Sequence, residues 1–450
     1  MIRFGGLATG QDTPSIVEAL LEVERLPVAR LRADNEEETQ VFNAWTEIDT
    51  KFTSLSSAAV NLNSYKTWQR KTVDSSNSES LSASADYSAA AGKYSITETI
   101  LATAHRVSSD SQPLGAKADL SLDGDFNING ATISVATGDT LEAIRDKIND
   151  ATGDMSEVVQ ASIIGSTLVL ENAETGASSM TITDGTGTIA DSLGILSGGA
   201  IKNQLQTGGN FSAKINGVPV TGTKNSGIDD FIEGVTLNFL DNKDTTIEIK
   251  RDTDSIKSAF TDFVTAYNEA MEELENYTRI EVDSNKSTGD TRVGTAVLQG
   301  DSAATNMKFG SRSHITKANQ NTEGAFAGRS LQAIGIWTDG RENRIKIVSE
   351  SQLEDALENN FDDLEDMMRD FDHGIMRQFE DYIDTVQSPI DGTIFRKQES
   401  IKATISSNDD RIAELTLKLI RRENELFEQF GRMESNIAGI QQQGNFLSGL

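Results

Sequence analysis

Apolar residues recur every seventh position through the end of the chain: Ile405, Ile412, Leu419, Leu426, Met433, Ile440 and Leu447. A second apolar row, Leu415, Phe430 and Ile437, runs beside it. This period marks the seam of a long helix that packs on other helices. At ~1.5 Å per residue the stripe is roughly 60 Å long. Such a rod suits packing alongside partners better than closing a pocket, and it points to an assembly subunit. Late in the stripe the helix becomes polar and glycine-containing (Gly431, Gly439, Gln441, Gln442, Gln443, Gly444). The tail is therefore expected to lack a mate within its own molecule and to become ordered against neighbours.

Two further segments repeat at helical spacing. Thr13 is expected to cap the first helix with Pro14 at its first position. Ile16, Val17, Leu20 and Leu21 then form an apolar face, and Pro27 marks a break or restart. Val41, Trp45, Ile48, Phe52, Leu55, Ala59 and Leu62 alternate steps of four and three. From Asp254 the same alternation returns in Ile256, Phe260, Phe263, Tyr267, Ala270, Leu274 and Tyr277. The two stripes are expected to pack on each other, giving a helical core of Trp45, Ile48, Phe52 and Leu55 against Phe260, Phe263, Tyr267 and Leu274. A polar loop (Asp283 to Asp290) follows. Ile334 and Ile336 then face Ile345 and Ile347 in a hairpin around Asp339-Gly340, and an acidic helical stretch begins at Ser351. Ser388 to Gly392 forms a turn before the final rod.

Between Trp68 and Ile249 the chain changes to Ser, Thr and Ala with short alternating runs, which is strand chemistry. Two Asn-Gly pairs, Asn129-Gly130 and Asn216-Gly217, sit between apolar runs in a weak internal repeat, the strongest short hairpin signal. Each is followed by a candidate short helix, Thr140 to Ile148 and Ile228 to Ile232. Gly185-Thr-Gly187 and Gly208-Gly209 are expected to be loops. A strand block inserted into a helical frame predicts a multidomain α+β chain: a terminal coiled-coil and helical-bundle leg, whose two ends meet, carrying inserted β-rich head domains.

Composition narrows the function. At 450 residues the chain exceeds a single core. Its net charge of -30 disfavours nucleic acid and anionic membrane surfaces. No apolar run is long enough to span a membrane. The absence of cysteine excludes disulfides and thiolate metal sites. The first ten residues hold one Arg and no apolar core of signal-peptide length, so export is expected without a cleaved signal. His105, His314 and His373 lie far apart, and neither a serine elbow nor a phosphate loop occurs, so no catalytic residue, metal or cofactor is assigned. Asp125-Phe-Asn127-Ile-Asn129-Gly130 opens like a calcium loop, but Ala136 stands where a bidentate Glu is required, and the segment reads as a hairpin.

These segments together resemble the flagellar hook-associated protein 2 family, the bacterial filament cap proteins. Phe4-Gly-Gly-Leu7-Ala-Thr-Gly10-Gln-Asp12-Thr13 is similar to the family's start, as is the stretch Val23 to Pro27. Ile128-Asn-Gly130 with Asp139 to Asn149 resembles an insert shared with flagellin-like proteins. Leu298-Gln-Gly-Asp301-Ser, Ile334-Gly-Ile336, Ser388-Pro-Ile-Asp-Gly-Thr393 and Gln443-Gly-Asn-Phe-Leu447 resemble later signatures, so the likeness covers the chain in order.

The resemblance implies a non-enzymatic ring at the flagellar tip that retains exported flagellin and promotes its folding and insertion. It implies exit through the type III export channel and an extracellular location. It also implies contact with other hook-associated proteins at the filament junction, and a cytoplasmic export chaperone on the C-terminal helix. Laid on this chain, the family layout gives terminal helices at 1–45 and 400–450 and a helical leg at 46–70 and 254–399. The β-rich head falls at 71–114 and 206–253, with an inserted β-rich domain at 115–205. The competing readings are a surface adhesin or structural fibre with a β-rich binding head, and a divergent hydrolase using the carboxylates after Ser351.

Overall fold

The apolar periodicity at the two chain ends becomes two long helices, Thr13–Asn63 and Thr393–Ser448, in a computed structural model that describes residues 12–284, 291–321, 323–338 and 343–448. The first helix begins one residue earlier than its sequence suggests. Asp12 is the cap, accepting from the Ser15 amide (3.4 Å) and hydroxyl (2.6 Å), and Thr13 is the first helical residue. Pro27 does not break the helix. It is exposed, so the Val23 carbonyl that loses its donor lies on the open side, while buried Leu21 and Val28 hold both halves in line. The family-like start, Phe4 to Gly10, lies outside the described residues.

The chain divides into two compact units, Met1–Trp68 with Thr253–Leu450, and Gln69–Asp252. In the helical unit, Thr253–Thr278 packs along the second half of the leading helix. Trp45, Ile48, Phe52, Leu55, Phe260, Phe263, Tyr267 and Leu274 are all buried in one cluster. Trp68 closes its end, edge-on to Phe260 (6.1 Å between centroids) and Phe361 (5.6 Å), with its Nε1 donating to the Leu62 carbonyl (2.6 Å).

The acidic stretch forms the helices Glu350–Asn359, Phe361–Arg369 and Ile375–Gln387. Leu353, Leu357, Leu364, Met367 and Phe379 turn inward, so the carboxylates occupy the solvated face. Lys257 reaches Glu350 (3.0 Å) and Glu354 (2.7 Å), which pushes its pKa up to about 12. Ile336–Thr338 pairs with Ile345–Ile347, whereas Ile334 belongs to the short 3₁₀ turn Leu331–Ile334; the Asp339-Gly340 turn lies outside the described residues. Ile280–Ser284 and Thr291–Thr295 are paired strands, so Asp283 is in a strand where the sequence suggests loop; 285–290 lie outside the described residues.

The β unit holds two separate cores. One lies beneath the antiparallel sheet ordered Lys71–Ser75, Thr245–Arg251, Gly92–Ile100, Phe211–Ile215 and Val218–Gly222, with Phe211 against Phe239 at 4.5 Å. The other gathers Phe126, Ile133, Leu141, Ile144, Leu168 and Leu170 around the helix Leu141–Asp150. It begins at Val107, upstream of residue 115, because Arg106–Ser108 pairs with Thr167–Asn172. Both Asn-Gly pairs are hairpin turns with positive φ at each residue: 47° and 93° at Asn129-Gly130, 50° and 82° at Asn216-Gly217. The calcium-like run is committed to this hairpin: Asp125 accepts from the Thr186 amide (2.8 Å) and Asn129 from the Thr181 amide (2.8 Å).

Thr140 caps the first expected short helix, accepting from Ala143 N (3.2 Å). The second is a strand: Ile228–Ile232 pairs with Val235–Phe239. Gly227 (φ 65°) and Gly234 (φ 72°) leave six residues between left-handed turns, and the turn at Gly234 folds them back onto Val235–Phe239, so sheet pairing takes them.

His105 sits buried where the chain passes from one core to the other, its Nδ1 accepting from Met180 N (3.0 Å). Burial lowers its pKa. A folded pKa below the unfolded value means the unfolded chain takes up the proton first. The β unit should therefore lose stability as pH falls below about 6.5, the ordinary histidine value. Urea titrations at pH 7.5 and 5.5 check this: a His105→Gln variant should show a smaller loss than wild type.

Candidate assembly surface

The two long helices run antiparallel over the free end of the leading helix. Thr13 Oγ1 donates to Glu434 Oε1 (2.9 Å), Arg422 Nε lies 3.4 Å from Glu24, and Asn35 Nδ2 donates to Asp409 (2.8 Å). Nearer the leg, Lys402 lies over the Phe42 ring (5.5 Å) and Gln398 donates to Thr46 (3.2 Å). The C-terminal stripe thus has a mate in its own chain. That overturns the expectation of an unpartnered tail, and the helix runs unbroken through Gly431, Gly439 and Gly444. The reason is composition: long apolar and straight-chain residues on both sides carry the helix across single glycines that each cost only ~1 kcal/mol relative to Ala.

The mate covers the stripe only in part. Leu426 is buried with Val17 and Leu21; Leu419, Phe427 and Phe430 pack against them half-covered. Ile405 and Ile412 are half-buried, and Ile405 leans on the leg core. Met433 and Ile440 are exposed, the latter at 68%. The Leu447 side chain lies outside the described residues. Leu415 and Ile437 of the second row are half-buried. Midway, Asn35 also accepts from Asn408 Nδ2 (2.9 Å), a polar layer that fixes register at the expense of apolar burial.

The leading helix adds apolar surface that its sequence hardly announces. Of the expected face, Val17 and Leu21 are buried and Ile16 half-buried, but Leu20 points out; Val23 and Leu26 join it at 68% and 60% exposure. Their three-residue spacing, off the seam, was the available signal. Val23, Leu26, Pro27, Arg30, Arg411 and Leu415 line an open groove, which continues past Pro27 and Leu415 to Lys418, Leu419, Arg421 and Arg422. Added Cβ atoms at Gly431, Gly439 and Gly444 would meet nothing within 4 Å, so no close intramolecular contact requires glycine there. A two-helix rod with half-covered seams and an apolar groove is geometrically suited to receive more helices.

Comparison with known proteins agrees in extent. The family model for the flagellar hook-associated protein 2 C-terminus matches residues 208–442, and that for its N-terminus matches 9–105. The A-type flagellar hook-associated protein 2 of Pseudomonas aeruginosa is 24% identical, across 97% of this chain and 94% of that protein. The B-type protein of that species is 26% identical across 94% and 92%. Among solved structures, the flagellar cap protein D1-D2-D3 domains from Escherichia coli share the fold with a TM-score of 0.58 at 22% identity, covering 80% of this chain and 99% of that one.

Proposed function

This chain belongs to the flagellar hook-associated protein 2 family, and on that premise we propose how its parts do the work. The protein is a structural, self-assembling cap at the distal tip of the bacterial flagellar filament, where it retains exported flagellin and promotes its folding and polymerisation. The observation that carries this is the family match from 208 to 442, which takes in most of the terminal helix. Family membership selects the cap over the adhesin reading.

The finer assignments are our own. The rod formed by Thr13–Asn63 and Thr393–Ser448 is the part that meets neighbouring subunits, flagellin and the hook-associated proteins at the filament junction. The stripe from Ile405 to Leu447 is its contact line; the support is its partial cover and the exposed Met433 and Ile440. Before export, a cytoplasmic chaperone holds the same helix, since a half-covered apolar stripe in a free subunit invites aggregation. Export proceeds through the flagellar channel, a route compatible with a chain that has no cysteine to cross-link. The leg (46–70, 254–399) carries the β-rich head (71–114, 206–253) and its insert (115–205); two separate β cores support two β domains, the insert's reaching back to Val107. Electron microscopy of filament tips from cells with and without the protein tests the reading. A terminal cap seen only when the chain is present is the expected result, and identical bare tips in both strains would sink it.

A further inference from the structure

The groove on the rod is bordered by charge of one sign and followed by charge of the other. Around Pro27 and Leu415 stand Arg30, Arg411, Lys418, Arg421 and Arg422; Glu414 pairs with Arg411 and Lys418, and Glu24 and Glu425 with Arg422, which leaves Arg30 and Arg421 to carry the band. Arg30 and Arg421 are exposed, and among the described residues no ion pair joins them to their own chain. Toward the leg the sign reverses. Asp34, Glu36, Glu37 and Glu38 follow on the leading helix, and Asp409 and Asp410 flank them from the terminal helix, Asp409 fixed at that height by Asn35. Steps of four and three place Val23, Pro27, Arg30, Asp34 and Glu37 on one face. From Pro27 to Glu36 is about 14 Å at the helical rise.

We propose that this face docks a second copy of the same rod, parallel and displaced along the axis by about 14 Å, so that the acidic band of one copy covers the basic band of the next. The inference rests on the self-assembling reading above and names its contact. The complement of each band lies in the chain itself, which argues for a second copy. A rod laid alongside without displacement would set like charge on like, a repulsion that a molecule of net charge -30 has little means to offset. Displacement aligns opposite bands and closes the groove over Val23, Leu26 and Leu415. The contact is asymmetric, one copy giving acid and the other giving base, and because both bands lie on the one face it covers, it joins two rods.

Sedimentation velocity of the full chain across a micromolar concentration series, at low and high salt, tests this. Arg30→Glu with Arg421→Glu should weaken association about tenfold or more, as should Asp34→Arg with Glu37→Arg; all four together should restore it to within about threefold at low salt. All four residues are exposed, so the helical circular dichroism should not change. An associating wild type indifferent to both half-reversals, or a fourfold variant as weak as either half, overturns the contact while leaving self-assembly standing. A wild type monomeric at every concentration overturns the self-assembling reading and this contact together.

Discussion

Removal of residues 405–450 is expected to abolish filament growth while flagellin accumulates in the medium. The cut falls beyond Ile394 and Ile401, the terminal-helix residues buried in the leg core, and takes from its edge the half-buried Ile405, so the leg keeps most of its packing and the head its sheets. What disappears is the cover over Val17 and Leu21, supplied by Leu426 with Leu419, Phe427 and Phe430. The free part of the leading helix is then left without a partner, and isolated helices of that kind are marginal in water. Burying a large apolar side chain contributes ~1.5–3 kcal/mol, so losing several at once leaves the rod, and every contact it makes with neighbours, without a basis. A secretion assay with microscopy of the cells measures both arms. Normal filaments on the truncated chain would refute the role given to the rod.

The second large effect lies in the leg. Phe379 is fully buried, edge-on to Phe263 (5.6 Å between centroids) and in ring contact with Tyr267 (6.4 Å) and Tyr382 (6.2 Å). Phe379→Ala should destabilise the helical unit by ~3–5 kcal/mol, because rings fixed by the backbone of two helices collapse only partly into the space. The readout is unusually clean. All three tryptophans, Trp45, Trp68 and Trp337, belong to the helical unit, and Gln69–Asp252 has none. Tryptophan fluorescence in urea should therefore shift to a lower midpoint, and the helical circular dichroism signal should shift with it. A tryptophan midpoint equal to that of wild type would contradict the packing described.

Much of the site was legible because its signals are local. The steps of four and three from Trp45 to Leu62 and from Ile256 to Tyr277 state a helix face directly, and the residues on it are buried except Tyr277, which is half-buried. The Asn-Gly pairs announce their turns because few other residues tolerate positive φ twice in succession. The misreadings were settled by competition beyond the window. Ile228 to Ile232 has helix-like apolar ends, but its partner Val235–Phe239 lies just past Gly234. Pro27 punctuates any local reading, yet packing on either side carries the helix through it. The groove at Val23 and Leu26 was only faintly marked in the sequence, by a three-residue spacing off the seam, since an apolar residue there is equally at home in a core or in solvent.

The sequence by itself determined most element types, the helical segments with their β insertion, the seven-residue stripe, and the residues that carry the family. These follow from periodicity and backbone chemistry, which act between near neighbours. Only the tertiary structure decided that the leading helix is the stripe's own mate, which part of that stripe stays uncovered, and where the basic and acidic bands fall relative to each other. Those depend on the antiparallel register of segments almost four hundred residues apart, such as Asn35 with Asp409. That register is set by summed packing and hydrogen bonds across the pair, which neither helix encodes alone.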